Sequence, residues 1–184
     1  CCDDPFALPA VEIGKRVAAA GVVGLGGAAF PSAVKLTGAL RAEVSTLVMN
    51  GGECEPYLSC DDRLMRDAAA DIVDGIRIML HATGAQVALV GIEDNKPEAI
   101  VAMQAAAAGF DAVQIRPVPA RYPMGSEKQL IQVLTGREVP ADGRADRAEA
   151  AMFQANHFAS APGDGLRPVD RAVLAVESRS AVAR

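Results

Sequence analysis

A chain of 184 residues suits one domain, or one domain with a short appendage. Half of the residues (51%) are hydrophobic, so a core can form, and with Trp absent the packing is left mainly to Ala, Val, Ile and Leu. The net charge of −5 argues against nucleic acid as a partner, and no apolar run reaches the roughly 20 residues that span a bilayer. We therefore expect no nucleic-acid binding and no direct membrane span.

The four cysteines form neither a disulfide framework nor a metal-binding pattern. Cys1 and Cys2 are adjacent, Cys54 and Cys60 fall in one loop, and the sequence has no Cys-x-x-Cys pair. We expect reduced thiols in a cytoplasmic setting and no metal site. The first residue is not Met, and we expect the chain to be a piece of a longer protein.

The first predicted elements are a helix over residues 10–20 and a glycine-rich loop that leads into a second helix. Gly24, Gly26 and Gly27 in this loop can bring bare backbone close to a ligand. Free backbone N–H groups before a helix N-terminus favour an anion, above all a phosphate, and Lys35 adds a positive charge one turn into the helix. An ordinary glycine-rich turn fits this stretch equally well, because such motifs often match by chance.

Apolar runs of strand length alternate with amphipathic helices over residues 31–134. Apolar residues spaced by three and four predict one long helix, opened by Asp61 and Asp62, and Ser126 with Gln129 has the spacing of a capping box. This alternation predicts an α/β fold, a doubly wound and mostly parallel sheet with helices on both faces. The predicted strands cover residues 44–49, 87–92 and 112–118, and the predicted helices cover residues 31–40, 61–83, 97–108 and 126–134.

Two polar loops, residues 50–57 and 122–127, each follow a predicted strand. In parallel sheets ligands bind beyond the carboxyl ends of the strands, so we expect both loops at that edge. The pattern weakens after Gly136, where only residues 172–176 have the character of a strand. We divide the chain into a domain over residues 1–140 and a poorly defined tail over residues 141–184, which either completes that domain or begins another.

Three stretches, residues 24–35, 50–56 and 122–129, occur in an order and at intervals that point to one family. Together they resemble the flavin-binding domain shared by the RnfC subunit of the Rnf electron-transport complex and the NADH-oxidising subunit of respiratory complex I. The Rnf protein is the closer match, because Cys-Glu-Pro-Tyr at residues 54–57 and Gly-Ile-Glu-Asp-Asn-Lys-Pro-Glu-Ala at residues 91–99 are similar to that branch. The resemblance covers about residues 3–140.

The resemblance implies a Rossmann-like fold that binds FMN, takes a hydride from NADH and passes electrons on one at a time. The partners would be NADH and the other subunits of a membrane-bound complex, with this chain peripheral on the cytoplasmic face of a bacterial inner membrane. Iron–sulfur clusters are expected only in a cysteine-rich region that this sequence does not contain. No protein residue would be catalytic, because the hydride passes between the two cofactors.

The resemblance also implies which residues would contact each ligand. It places the glycine loop against the flavin and Lys35 at the flavin phosphate, and it assigns Phe30 and Glu55 to NADH. The residues expected to bind FMN are Gly24, Gly26, Gly27, Lys35, Asn50, Glu53, Tyr122, Gly125 and Glu127. Two departures stand out, since the family usually has Gly where Ala29 stands, and residues 153–158 match poorly the family's asparagine-containing stretch.

Two other functions stay open, and the departures favour the first of them. One is a docking or assembly module of the same complex that keeps the fold without the flavin. The other is a protein that uses the glycine loop to bind another phosphorylated nucleotide.

Overall fold

The computed structural model describes residues 4–23, 30–54, 57–138 and 150–154, the last of these as backbone only. Gly24, Gly26, Gly27 and Glu55, and the predicted strand at residues 172–176, lie outside the described residues. A 3-10 turn at Pro5–Ala7 precedes the regular elements. The helices are α1 (Ala10–Ala19), α2 (Ser32–Arg41), α3 (Cys60–Asp67), α4 (Ala69–Thr83), α5 (Pro97–Ala107) and α6 (Glu127–Thr135), and the strands are β1 (Thr46–Gly51), β2 (Val87–Glu93), β3 (Val113–Val118) and β4 (Ala150–Gln154).

The four strands form one parallel sheet in the order β3-β2-β1-β4. Asn50 of β1 is in register with Gly91 of β2 on one side and with Gln154 of β4 on the other. Each crossover is helical, as parallel strands require. The predicted doubly wound parallel α/β fold is therefore confirmed.

Alternate residues of β1 enter two separate cores, one on each face of the sheet. Leu47 and Met49 pack with residues of α1 to α5 in the larger core, whereas Val48 packs with Leu130 and Ile131 of α6 in the smaller one. All three β1 residues are fully buried. Burial on both faces explains why the strand reads as a continuous apolar run rather than an alternating one.

Close packing of α6 on the sheet depends on Gly91 in the middle of β2. A Cβ at this position would lie 2.7 Å from one methyl carbon of Leu130 and 3.1 Å from one of Leu134. The missing side chain lets α6 pack closely against the strands at Leu130 and Leu134.

The structure differs from the sequence-based prediction in three local features. The single helix predicted over residues 61–83 is wrong, because Ala68 leaves the helical conformation, with φ −131° and ψ 32°, and separates α3 from α4. The capping box is also wrong, since the Ser126 side chain makes no capping hydrogen bond at the start of α6. Strand β4 was not predicted. Within the described residues, no helix is both long enough and apolar enough to cross a bilayer.

Candidate functional site

The chain order in the sheet creates a switch point between β1 and β4. From β1 the chain moves outward through β2 to β3, then returns through α6 to pair β4 with the other side of β1. The loop that leaves β1 leads to helices on one face of the sheet, whereas the turn before α6 leads to a helix on the opposite face. In doubly wound folds the ligand crevice lies at this point.

Asn50 joins the two loops that meet at this edge. Its side-chain Nδ2 donates a hydrogen bond to the carbonyl oxygen of Gly125 at 2.8 Å, and its Oδ1 accepts one from the Gly52 N–H at 2.9 Å. The residue is fully buried. Both ends of the amide are thus occupied by backbone, so the contact holds the loop after β1 against the turn before α6.

Two glycines allow the same loops to touch at the level of the backbone. A Cβ on Gly52 would lie 3.1 Å from the Cα of Gly125, and one on Gly125 would lie 2.7 Å from the Sγ of Cys54. The Gly125 N–H also donates to that Cys54 sulfur at 3.2 Å. This part of the edge is therefore tightly packed and carries little side chain of its own.

Glu53 belongs to a cluster of buried charges beside this contact. Lys96 lies between two carboxylates, with its Nζ 2.7 Å from Glu53 Oε2 and 3.0 Å from Glu93 Oε2. The other Glu53 oxygen accepts the N–H of Asp61 at 2.7 Å, and the Glu53 N–H donates to Glu93 Oε2 at 3.3 Å. The side chains of Glu53, Glu93 and Lys96 are only 4%, 8% and 11% exposed. We call Glu53, Glu93 and Lys96 the charge cluster.

The charge cluster is built at the ends of β1 and β2 and the start of α5, and the start of α3 borders it. Glu93 is the last residue of β2, Lys96 immediately precedes α5, Glu53 follows β1 by two residues, and Asp61 lies in the first turn of α3. A tight turn in which the Lys96 N–H donates to the Glu93 carbonyl at 3.0 Å brings the lysine back over the end of its own strand. The start of α3 also favours the Glu53 carboxylate, because exposed N–H groups there carry a partial positive charge.

The protonation states follow from these neighbours. Burial by itself lowers the pKa of Lys96, but the hydrogen bonds and charges of Glu53 and Glu93 outweigh burial, and the pKa is raised. Lys96 is therefore a stable cation. Burial, followed by the charges of Asp61 and Glu53, raises the pKa of the Cys60 thiol, so this cysteine is held neutral and is a poor nucleophile.

Glu53, Cys60 and Asp61 bring three potential metal-ligand atoms within 4.8 Å of one another. Both Glu53 oxygens, however, already accept hydrogen bonds, one of them from the Lys96 ammonium. A metal ion here would have to displace the Lys96 ammonium or lie beside it, where the two positive charges would repel each other. We therefore assign no metal to this group.

Phe30 and Lys35 form a second group, around the start of α2. The Lys35 Nζ lies 5.8 Å from the centroid of the Phe30 ring, within the range of a cation–π contact, and the ring is partly exposed. Ser32, in the first turn of the helix, is 1% exposed, and its Oγ has no hydrogen-bond partner among the described residues. A buried hydroxyl without a partner costs free energy, and an anion at this helix start would supply an acceptor for it.

The remaining predicted residues lie on the turn before α6 or at the start of that helix. Tyr122 is 84% exposed, while Glu127 is half-buried at the first position of the helix. The structure therefore brings Asn50, Glu53 and Gly125 to one edge, and it pairs Phe30 with Lys35. The predictions for Gly24, Gly26, Gly27 and Glu55 lie outside the described residues.

Sequence reasoning missed Glu93, Lys96 and Ser32. Lys96 and Glu53 are 43 residues apart and belong to no common periodic pattern, so nothing in the sequence pairs them. The signal for Ser32 was available, since the sequence places it at a predicted helix start behind the glycine-rich loop, where backbone N–H groups favour an anion.

A groove of about 500 Å³ lies elsewhere, between α1 and α2. Its walls include the small residues Gly14, Ala18 and Gly38. The groove is lined mostly by apolar residues, and it is not lined by any described residue that we predict to bind FMN, so we place the candidate site at the sheet edge.

Curated relatives match most of the chain. It is 55% identical over 132 residues to the C subunit of the ion-translocating oxidoreductase complex of Rhodobacter capsulatus, a match that covers 71% of this chain and 25% of the relative. The proteins of the same name from Yersinia enterocolitica and Pseudomonas aeruginosa are 52% identical over 126 residues and 51% identical over 142 residues. These matches cover 68% and 77% of this chain, and in each case 18% of the relative. The chain thus spans a quarter or less of the length of these relatives.

Solved structures agree on the fold. An NAD⁺-reducing [NiFe]-hydrogenase in the air-oxidized state superimposes with a TM-score of 0.64 at 23% identity, over 82% of this chain and 30% of that one. The H₂-reduced state gives a TM-score of 0.66 at 22% identity, over 93% of this chain and 32% of that one. The sequence model of one protein family, the Nuo51 FMN-binding domain, matches residues 17–181. With nearly the whole sequence matched, the chain belongs to the family of the Nuo51 FMN-binding domain.

Proposed function

We propose that this chain binds FMN non-covalently at the carboxyl edge of its sheet and acts as the hydride-accepting part of an ion-translocating oxidoreductase complex. The observation that carries the proposal is the contact of two distant loops at the switch point, through the Asn50–Gly125 hydrogen bond, in a chain of the Nuo51 FMN-binding domain family. The curated relatives, whose shared name describes part of an ion-translocating oxidoreductase, support the wider role.

The residues present fit the chemistry of FMN. The buried Ser32 hydroxyl, the Lys35 ammonium and the start of α2 offer donors to a phosphate, and the aromatic face of Phe30 offers a stacking surface. Because Gly52 and Gly125 have no side chains where the two loops touch, a planar ring could approach the backbone closely there. FMN, when bound, would supply the ability to accept a hydride and release single electrons.

The protein's own part is to place and shield the reactants. Asn50 holds the loop of residues 52–54 against the turn of residues 122–125, and the charge cluster anchors the same loop to β2 and α3. Loops fixed in this way lower the entropic cost of bringing two ring systems into contact. Such positioning can lower the activation barrier of a reaction by several kcal/mol. We assign Phe30 and Glu55 to the nicotinamide nucleotide and Tyr122 and Glu127 to the closing side of the pocket.

We place the chain on the cytoplasmic face of a bacterial inner membrane, held there by other subunits of its complex. The name of the curated relatives supports a multi-subunit assembly, and no described helix is suited to cross a bilayer. Iron–sulfur clusters that would take the electrons onward belong, in this proposal, to the parts of the relatives that this chain does not match.

The test is to purify the chain, denature it and identify any released ligand by mass spectrometry, then titrate the protein with FMN and follow flavin fluorescence. We expect saturable FMN binding and bleaching of the flavin when NADH is added without oxygen. Glu55→Gln should change the NADH dependence of bleaching more than the FMN content. A folded chain that neither retains FMN nor binds it saturably would refute the proposal.

The same titration separates the second candidate, a binder of another phosphorylated nucleotide. Ser32 and Lys35 favour a phosphate without specifying what is attached to it. Release of a nucleotide other than FMN, with no response to added FMN, would favour that function.

A further inference from the structure

We propose that Lys96 is a positioning residue for the cofactor site, and this inference rests on the proposed FMN function. Its ammonium contacts both Glu53, at 2.7 Å, and Glu93, at 3.0 Å, and thereby fixes the loop of residues 52–54 at the rim. Lys96 itself is turned inward, with an 11% exposed side chain, and it acts on the ligand through Glu53.

The contacts of Glu53 fix its own loop to neighbouring elements at the edge of the sheet. Oε1 accepts the Asp61 N–H and Oε2 accepts the Lys96 ammonium, so both oxygens are engaged. At the same time the Glu53 N–H donates to Glu93, which ties the backbone of the loop to the end of β2. One residue thus joins the loop to β2, α3 and the start of α5.

The charges explain why this anchor needs a cation. Glu53 and Glu93 both contact the same ammonium, and Asp61, whose N–H contacts Glu53, adds another carboxylate in the first turn of α3. The Cys60 thiol beside them is neutral. Without Lys96 two buried carboxylates would face each other with no positive charge between them, and one would take up a proton or move away.

Movement of Glu53 would reach the proposed cofactor edge directly. Gly52 precedes it and is hydrogen-bonded to Asn50, and Cys54 follows it and accepts the Gly125 N–H. The loop that Lys96 fixes is therefore the same loop that meets the turn before α6.

The test compares FMN affinity of wild type, Lys96→Met, Lys96→Arg and the double variant Glu93→Gln with Lys96→Met, between about pH 6 and about pH 8. We expect Lys96→Met to weaken FMN binding by about tenfold at the higher pH and to recover toward the lower pH, as a carboxylate is protonated. Lys96→Arg and the double variant should follow the wild-type profile, because each leaves the charge cluster with one uncompensated carboxylate, as in the wild type. Equal loss in Lys96→Met and the double variant at every pH would mean that Lys96 acts by packing alone, and would overturn the proposal.

A second measurement does not need the cofactor. The amide protons of Glu53 and Asp61 donate to the two carboxylates, whereas the Ala88 N–H donates within the sheet to Ala112 at 2.7 Å. Hydrogen-exchange protection should fall about tenfold or more at the first two amides in Lys96→Met and stay unchanged at Ala88. Unchanged protection at all three would overturn the positioning role.

These two measurements separate failure of this inference from failure of the proposed function. If wild type binds no FMN, the function is wrong and the exchange data alone decide the role of Lys96. If Lys96→Met does not fold, the double variant decides: recovery of the fold supports charge compensation, and failure of the double variant to fold contradicts it.

Discussion

The side chain of Asn50 donates to the carbonyl oxygen of Gly125 across 75 residues of sequence, at 2.8 Å. This hydrogen bond connects the loop that leaves β1 with the turn that leads into α6. Asn50 is fully buried and its contact with Gly52 is buried as well, so the Gly52 N–H has little access to water when the contact is lost.

We expect Asn50→Ala to destabilise the fold by about 2–4 kcal/mol, since it leaves the Gly125 carbonyl and the Gly52 N–H without partners. Asn50→Asp is the matched comparison, because it keeps an acceptor for Gly52 but replaces the donor to Gly125 by a buried, charged oxygen that faces the carbonyl oxygen. Urea unfolding near neutral pH should rank both variants below wild type, with Asn50→Asp no more stable than Asn50→Ala. Equal unfolding midpoints for wild type and Asn50→Ala would contradict this role.

Gly125→Ala should separate the two loops. The new Cβ would lie 2.7 Å from Cys54 Sγ and 3.2 Å from the Gly52 carbonyl oxygen, so we expect a loss of about 1–3 kcal/mol in stability and weaker FMN binding. Adding Cys54→Ala should recover part of the loss, because it removes the shorter contact and leaves the longer one.

Gly91→Ala is the control for this effect, since its Cβ would lie 2.7 Å from a methyl carbon of Leu130, under α6 and within the smaller core. It should lower stability while the folded protein keeps its FMN affinity. If both glycine variants changed affinity alike, the contact between residues 52 and 125 would have no special relation to the cofactor.

Lys35→Ala should weaken FMN binding by about 1–3 kcal/mol, the usual contribution of a hydrogen bond to a charged group. Lys15→Ala is the control, because Lys15 has a 71% exposed side chain and pairs with Glu12 on its own helix at 3.9 Å. Isothermal titration of both variants measures the difference. Equal affinities would remove Lys35 from the phosphate site.

Stability should decline on the alkaline side. The pKa of Lys96 is raised above its ordinary 10.5 by Glu53 and Glu93, against the effect of burial, so its stabilising contribution is complete below that value and is lost as the pH rises through the higher folded pKa. The raised pKa of Cys60, due first to burial and then to the charges of Asp61 and Glu53, has the same sign, with its loss beginning above its ordinary 9.0.

Unfolding measured across this alkaline range checks the prediction, and Lys96→Met should lack the part of the decline that belongs to the lysine. A stability that rises with pH above 9.0 in the wild type would contradict both assignments, because each group binds its proton more tightly in the folded state.

The fold was predictable where local pattern and tertiary structure agree. The β-branched and apolar runs that became β1 and β2 are largely buried on both faces, and this burial is what their composition indicated. β4, with the sequence Ala-Ala-Met-Phe-Gln, has no β-branched residue, so its strand conformation comes from pairing with β1 rather than from intrinsic preference.

The candidate site was predictable only in part. Asn50, Glu53 and Gly125 came from a family resemblance, and their convergence agrees with the expected edge of the sheet. The role of Glu93 and Lys96 could not be predicted, because it depends on a contact between Lys96 and Glu53. These residues are 43 positions apart, and no local sequence pattern links them. The break at Ala68 lay beyond reach as well, since Ala is the best helix former and no Gly or Pro marks the position.

The hydrogen bond from the Asp61 N–H to Glu53 closes the connection between β1 and α3 at its base. Because the Glu53 carboxylate holds both ends of the connection together, residues can be inserted between them without moving β1 or α3. Each insertion would cost only the loop-closure entropy, which rises slowly with loop length. Relatives could therefore vary this segment to admit a different nucleotide while the strands beneath it stay in place.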